Sequence, residues 1–398
     1  MLTHKFVSFS RLVSATTLVL CLAVGCGGGV DSGGTGVAAM SVGPISGFGS
    51  IIVNGTRFDD TVALILDDDG ARHTRAQLKL GVMTTVDATG LATSGSGQRA
   101  TATTIRIGSE IVGPVDAVDV LTGSVTVLGQ TVLVTAATVF DERISGGLQG
   151  LQAGAALEVY GRYDLARNRY AATRIEPSSA PAFYKLRGAV AQVDTNAQTL
   201  VIGGQTIDYG SVPFADRSNV VPGAIVRAKL DTRSVAGVWT AIGLSAAVVQ
   251  IPDRDDAKVE GRISAWTSSR QFSVNGVPVD ASMASFPDGE SGVVLGARVV
   301  VEGPSTAGVV RAGVVKVEGD EDASNSSFEL HGPIELLDTT AKTFVLYGVL
   351  VDYGGPVTFE SGSASDLASG RRVQVQGDLS TDGIRVRAQD VKFEDARP

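Results

Sequence analysis

The sequence predicts an all-β protein of five tandem modules, each a small five-stranded β-barrel, behind an export signal. Three observations predict it. A glycine-led pattern recurs about every 72 residues, apolar and polar residues alternate with period two inside the copies, and a basic-then-apolar N-terminus ends at a cysteine. Strict alternation marks half-buried strand, because successive side chains point to opposite faces of a sheet.

The N-terminus comes first. Lys5 and Arg11 precede the stretch Leu12 to Val24, which is apolar apart from Ser14, Thr16 and Thr17. A membrane span needs about 20 apolar residues, so this stretch suits the core of a cleaved export signal. The run Leu22-Ala23-Val24-Gly25 then leads to Cys26, and residues 26–39 read as a Gly/Ser tether. Small residues before a cysteine resemble the bacterial lipoprotein processing site, with residues 1–25 as signal peptide and Cys26 as the lipidated first mature residue. Ala23 stands where that pattern prefers leucine. Gly27 stands where an inner-membrane retention signal has aspartate, so the resemblance implies a cell-envelope protein held in the outer membrane by its lipid. Cys21 leaves with the signal, so the mature chain has no internal disulfide.

The copies follow in order. An opening glycine stands at Gly43, Gly113, Gly188, Gly261 and Gly332, spaced by 70, 75, 73 and 71 residues. A hairpin glycine recurs at Gly55, Gly129, Gly204, Gly276 and Gly348. Two of these form Asn-Gly pairs, which favour tight two-residue turns. An aspartate follows the hairpin at Asp59, Asp208, Asp280 and Asp352, and a loop phenylalanine recurs at Phe140, Phe214, Phe286 and Phe359. A glycine introduces the fourth strand at Gly81, Gly154, Gly223, Gly296 and Gly370, and an alanine opens the last at Ala102, Ala172, Ala241, Ala312 and Ala388. Modules are expected at 40–108, 109–180, 181–252, 253–322 and 323–398. A short helical turn is expected at Ala76 to Leu80. Closing each copy into a barrel removes the unpaired strand edges that invite aggregation.

The stretch Gly43-Pro44-Ile45-Ser46-Gly47-Phe48-Gly49-Ser50-Ile51-Ile52-Val53-Asn54-Gly55, followed by Arg57-Phe58-Asp59, resembles the start of the DUF5666 family of domains of unknown function. Val127-Leu128-Gly129-Gln130 and Ala172-Thr173-Arg174-Ile175-Glu176 are similar to it too. The resemblance runs from about Val42 to the C-terminus. It implies tandem repeats in a proteobacterial lipoprotein and, by analogy, barrels of the oligonucleotide/oligosaccharide-binding kind. It brings no activity and no catalytic residues.

Composition and motifs narrow the function. The net charge is −9 and the basic residues are scattered, which excludes a nucleic-acid stripe. After the signal the only histidines are His73 and His331, in different copies and without zinc spacing. No Gly-x-Ser-x-Gly elbow occurs, and Gly47-Phe48-Gly49 lacks the third glycine of a dinucleotide loop, Ile52 standing there. Asp208, Asp280 and Asp352 sit one repeat apart, so they occupy equivalent places in separate modules and read as bonded to the hairpin backbone. The acidic turns at Asp67-Asp68-Asp69 and Asp253, Asp255 and Asp256 do not match a helical-hand calcium loop. Tyr160, Tyr163, Tyr170, Phe183 and Tyr184 cluster near the junction of modules two and three, and Trp239 and Trp266 flank the next. Packing is the leading reading of these aromatics: Tyr160 and Trp239 read as core or strand face, while Tyr170 and Tyr184 are the candidates for an exposed binding edge. The expectation is a non-catalytic envelope scaffold, with no cofactor or metal and an envelope protein as partner. The alternative is a protein that binds envelope polysaccharide, and the minor alternative a carboxylate-based hydrolase.

Overall fold

A computed structural model describes residues 38–94, 97–164, 167–213, 217, 220–247, 251–318 and 328–394. Cys26, the export segment and Phe214 lie outside the described residues.

Barrel 1 holds β1 (Ala38–Phe48), β2 (Ile51–Val53), β3 (Thr56–Asp59), β4 (Leu64–Asp67), β5 (Met83–Ser94) and β6 (Gly97–Ile107). Strand β1 is antiparallel to both β2 and β5, β2 to β3, and β5 to β6, while β3 and β4 run parallel to β6. The ring therefore closes in the order β1, β2, β3, β6, β5, β1, with β4 added along β6.

The same circuit closes in every copy. Barrel 2 comprises β7 (Ile111–Asp119), β8 (Ser124–Val127), β9 (Gln130–Leu133), β10 (Val139–Phe140), β11 (Ala156–Asp164) and β12 (Arg169–Pro177). Barrel 3 comprises β13 (Tyr184–Asp194), β14 (Thr199–Ile202), β15 (Gln205–Asp208), β16 (Ile225–Leu230) and β17 (Val238–Ala246). Barrel 4 comprises β18 (Arg254–Ser268), β19 (Gln271–Val274), β20 (Val277–Asp280), β21 (Arg298–Thr306), β22 (Val309–Arg311) and β23 (Val314–Val317). Barrel 5 comprises β24 (Phe328–Pro333), β25 (Leu336–Asp338), β26 (Thr343–Leu346), β27 (Val349–Asp352), β28 (Thr358–Glu360), β29 (Arg372–Leu379) and β30 (Val386–Phe393). The expected helical turn forms as a single 3-10 turn at Arg75–Gln77.

Two recurring residues have a steric reason. At each opening glycine a Cβ would collide with a side chain from the hairpin. The collision is with Asn54 at Gly43, Leu128 at Gly113, Ile202 at Gly188, Asn275 at Gly261 and the Tyr347 ring at Gly332. Asn54, Leu128, Asn275 and Tyr347 all have positive φ, and that backbone folds their side chains back over the first strand. The recurring alanine sits beside a β-bulge in four barrels, where Ala102, Ala172, Ala241 and Ala388 pair next to a register shift. A bulge adds local twist and bend, which a short-stranded barrel needs in order to close. Gly113→Val fills the slot of a fully buried Leu128. It should destabilise the fold by about 1–3 kcal/mol, read as a lower urea midpoint, and an unchanged midpoint would refute the slot.

The barrels are not beads on a string. Strand β1 outgrows its own barrel: Ala38–Ser41 pair in parallel with Ala257–Glu260 of β18, and Gly47 and Phe48 with Glu329 and Leu330 of β24. Ala38 and Ala39, which the sequence assigned to the tether, are thus already strand. Barrel 2 meets barrel 3 through β7 and β13. Barrels 1 and 5 share one apolar core and barrels 2 and 3 another, while Met40 and Val42 of β1 join the core of barrel 4.

Candidate functional site

Charged side chains gather where barrels meet. At the seam of barrels 1 and 2, the Arg174 side chain is only 8% exposed. It lies 3.2 Å from Asp141 Oδ2, pairs with Glu176, and donates to the Leu80 carbonyl across the seam at 3.1 Å. Lys79 reaches Glu176 at 3.2 Å, and Arg143 reaches Asp141 at 2.6 Å. Burial pushes the Asp141 carboxyl up, but hydrogen bonds from Arg143, together with the charges of Arg143 and Arg174, outweigh it and hold the pKa at about 2.

The acidic turn Asp67-Asp68-Asp69 has a structural use at the seam with barrel 3. Asp67 accepts from the backbone of Asp69 and Ala71 and lies 3.0 Å from His73. Asp68 takes Lys185 and Arg227, each at 3.1 Å, and Asp69 takes Lys229 at 2.7 Å. At the seam with barrel 5, Glu329 pairs with Arg57 at 2.5 Å and with His331 at 2.8 Å, and His331 reaches Glu394 at 2.9 Å. His331 is therefore part of an interface cluster. At the seam with barrel 4, Asn54 donates to the Glu260 carbonyl at 3.0 Å, and Arg254 reaches Asp87 at 3.1 Å.

Other sequence candidates land as follows. The recurring aspartates bond the chain two residues downstream rather than the hairpin: Asp208 accepts from Gly210, Asp280 from Ser282, Asp352 from Gly354 and Asp59 from Thr61. Tyr170 is fully buried against Tyr163, which corrects the expectation of an exposed edge. It shares the inward face of β12 with the buried Ala172, because residues two apart in a strand point the same way. Tyr184 is half-buried and meets Trp239 edge-on, with rings 5.5 Å apart. Lys229 sits over the neighbouring Phe183 ring.

Two cavities open between barrels. One, of about 530 Å³, lies among barrels 1, 2 and 5 and is lined in part by Phe48, Lys79, Asp141 and Tyr347. The other, of about 470 Å³, lies where barrels 1 to 4 converge. Three carboxylates on the lining of the second are each held by an arginine that also lines it. Asp87 takes Arg106 at 3.0 Å, Asp68 takes Arg227 at 3.1 Å, and Glu110 takes Arg187 at 2.8 Å. Burial raises the Glu110 carboxyl above its ordinary value, although the Arg187 charge opposes the shift. Arg162, on β11, is a fourth arginine on this lining, and no described residue offers its side chain a hydrogen bond or ion pair. Burial, with Arg262 nearby, pulls its pKa down to about 10. Sequence reading missed Arg162, Arg187 and Glu110, because the Glu110–Arg187 pair and the shared lining form only when separate barrels pack.

Three segments, 112–176, 260–316 and 331–392, match the family model described as Domain of unknown function (DUF5666), which supports a repeated domain of that kind. The matched segments fall in barrels 2, 4 and 5, and barrels 1 and 3 close by the same strand circuit. No curated protein matches the chain.

Proposed function

We propose that the protein is a non-catalytic envelope lipoprotein, tethered through Cys26 to the outer membrane, whose five barrels form a rigid scaffold for an envelope partner. The observation that carries this reading is β1, which hydrogen-bonds to strands of barrels 4 and 5 while closing barrel 1. Shared strands and buried ion pairs resist the bending that separate beads would allow, so loops of different barrels keep a fixed spacing. Rigid presentation lowers the ordering cost of binding and suits a scaffold.

The test is in-cell crosslinking of the full-length protein and of Cys26→Ser, read by mass spectrometry after membrane fractionation. The wild type should stay with the membrane and capture one recurrent envelope protein. Cys26→Ser should lose the lipid label and leave the membrane fraction. A variant that kept lipid and membrane would overturn the anchor, and capture of background proteins alone would overturn the scaffold. A second reading, binding of envelope polysaccharide, is favoured by the half-buried Phe183, Tyr184 and Trp239, since aromatic faces are common anchors for sugars and protein partners.

A further inference from the structure

We propose that the cavity among barrels 1 to 4 is a binding site for a small hydroxylated carboxylate, a monoanion of sugar-acid size, held through the guanidinium of Arg162. The inference stands apart from the scaffold reading, because it concerns the interior of the cluster and not its outer loops.

Charge is the first argument. The lining carries four arginines, and three of them face a carboxylate that also lines the cavity. Arg162 is the excess positive charge on this lining, partly buried as a residue and wholly buried at Nε, in a protein whose net charge is −9. A buried cation without a partner is costly, and such groups in native proteins are normally paired. A guanidinium offers a planar fork of donors that matches a carboxylate, and one unpaired fork matches one negative charge.

Hydrogen bonding is the second argument. Among the described residues, a few buried side-chain polar atoms have no hydrogen-bond partner. Four belong to residues that line this cavity: Ser109 Oγ, Glu110 Oε2, Arg162 Nε and Asn275 Oδ1. Native proteins leave few such atoms, so a concentration at one cavity marks a place built for polar contact. Ser109 and Asn275 supply the donors and acceptors that hydroxyl groups need. Met40, Val42, Ile225 and Pro278 supply an apolar wall. A volume of about 470 Å³ falls within the range of small-molecule sites.

The test uses the full-length protein, with glucuronate as probe and glucose and inorganic phosphate as comparisons, followed by titration calorimetry and thermal unfolding. Glucuronate should bind and raise the unfolding midpoint, and glucose should do neither. Arg162→Gln should weaken glucuronate binding at least about tenfold, the loss of one charged hydrogen bond. Its unliganded midpoint should equal or exceed that of the wild type, because an unpaired buried charge has gone. Arg162→Lys, which keeps the charge but not the fork, should also bind more weakly, while Arg233→Gln, exposed and remote from the lining, should bind as the wild type does. The proposal is overturned by wild-type protein that ignores glucuronate at millimolar concentration, by equal binding in Arg162→Gln, or by a preference for phosphate.

Discussion

Arg174→Met is expected to lower the stability of the protein by about 3–5 kcal/mol, the usual cost of removing one partner from a buried ionic cluster. The side chain neutralises Asp141 and Glu176 and caps the Leu80 carbonyl of the neighbouring barrel. Methionine fills much of the volume and leaves two carboxylates and a carbonyl short of a donor. Lys79 and Arg143 remain and offset part of the loss. Urea unfolding at pH 7 gives the magnitude. Hydrogen exchange at Gly81 and Val82 should rise first, because the seam opens before the barrels do. A loss below about 1 kcal/mol, the scale of an exposed ion pair, would mean that the seam is solvated and does not lock barrels 1 and 2. Acid should expose the same cluster. Asp141 is held at about 2, below the ordinary carboxylate value, so the stability it contributes is present above that ordinary value and lost as pH falls through about 2.

Much of the barrel was legible because its repeating constraints are steric and local. The opening glycine and the buried alanine recur since every copy must seat a hairpin side chain and four of the five turn a bulge at the same place. Repetition in order made weak signals add. The position of Tyr170 was legible too and was misread: it stands two residues before Ala172, on the same strand face, so period two sends it inward. The arrangement of the barrels was not legible. Asp68, Lys185 and Arg227 meet across seams that no motif marks, since each barrel has different neighbours. The pairing of β1 with β18 and β24 leaves no motif either, because parallel backbone pairing asks only for extended chain. The cavity inherits this opacity: its lining comes from four barrels, and the isolation of Arg162 shows only once all four are in place.

Arg187→Leu should produce the other large loss, and its size should depend on pH in a stated direction. Arg187 pairs with the deeply buried Glu110 at 2.8 Å and donates to the Ala247 carbonyl at 2.5 Å. Burial raises the folded pKa of Glu110 above its ordinary value, and Arg187 is the charge that limits the rise. A raised folded pKa contributes stability that is complete below the unfolded value and lost as pH climbs through the folded one. Removing Arg187 lifts the folded pKa further and widens that window. In the variant, Glu110 stays protonated in the fold at mildly acid pH, so the deficit at pH 5 should be modest. At pH 8 the fold must either bury an unpaired carboxylate or hold a proton that the unfolded chain releases, and the deficit should approach about 3–5 kcal/mol. Urea midpoints across pH 5 to 8 read the slope. Adding Glu110→Gln removes the charge that Arg187 served, so the double variant should recover most of the stability and show a flat profile over this range. A deficit in Arg187→Leu that stays constant with pH would assign its cost to the lost Ala247 contact and packing, and would place the Glu110 carboxylate in contact with solvent.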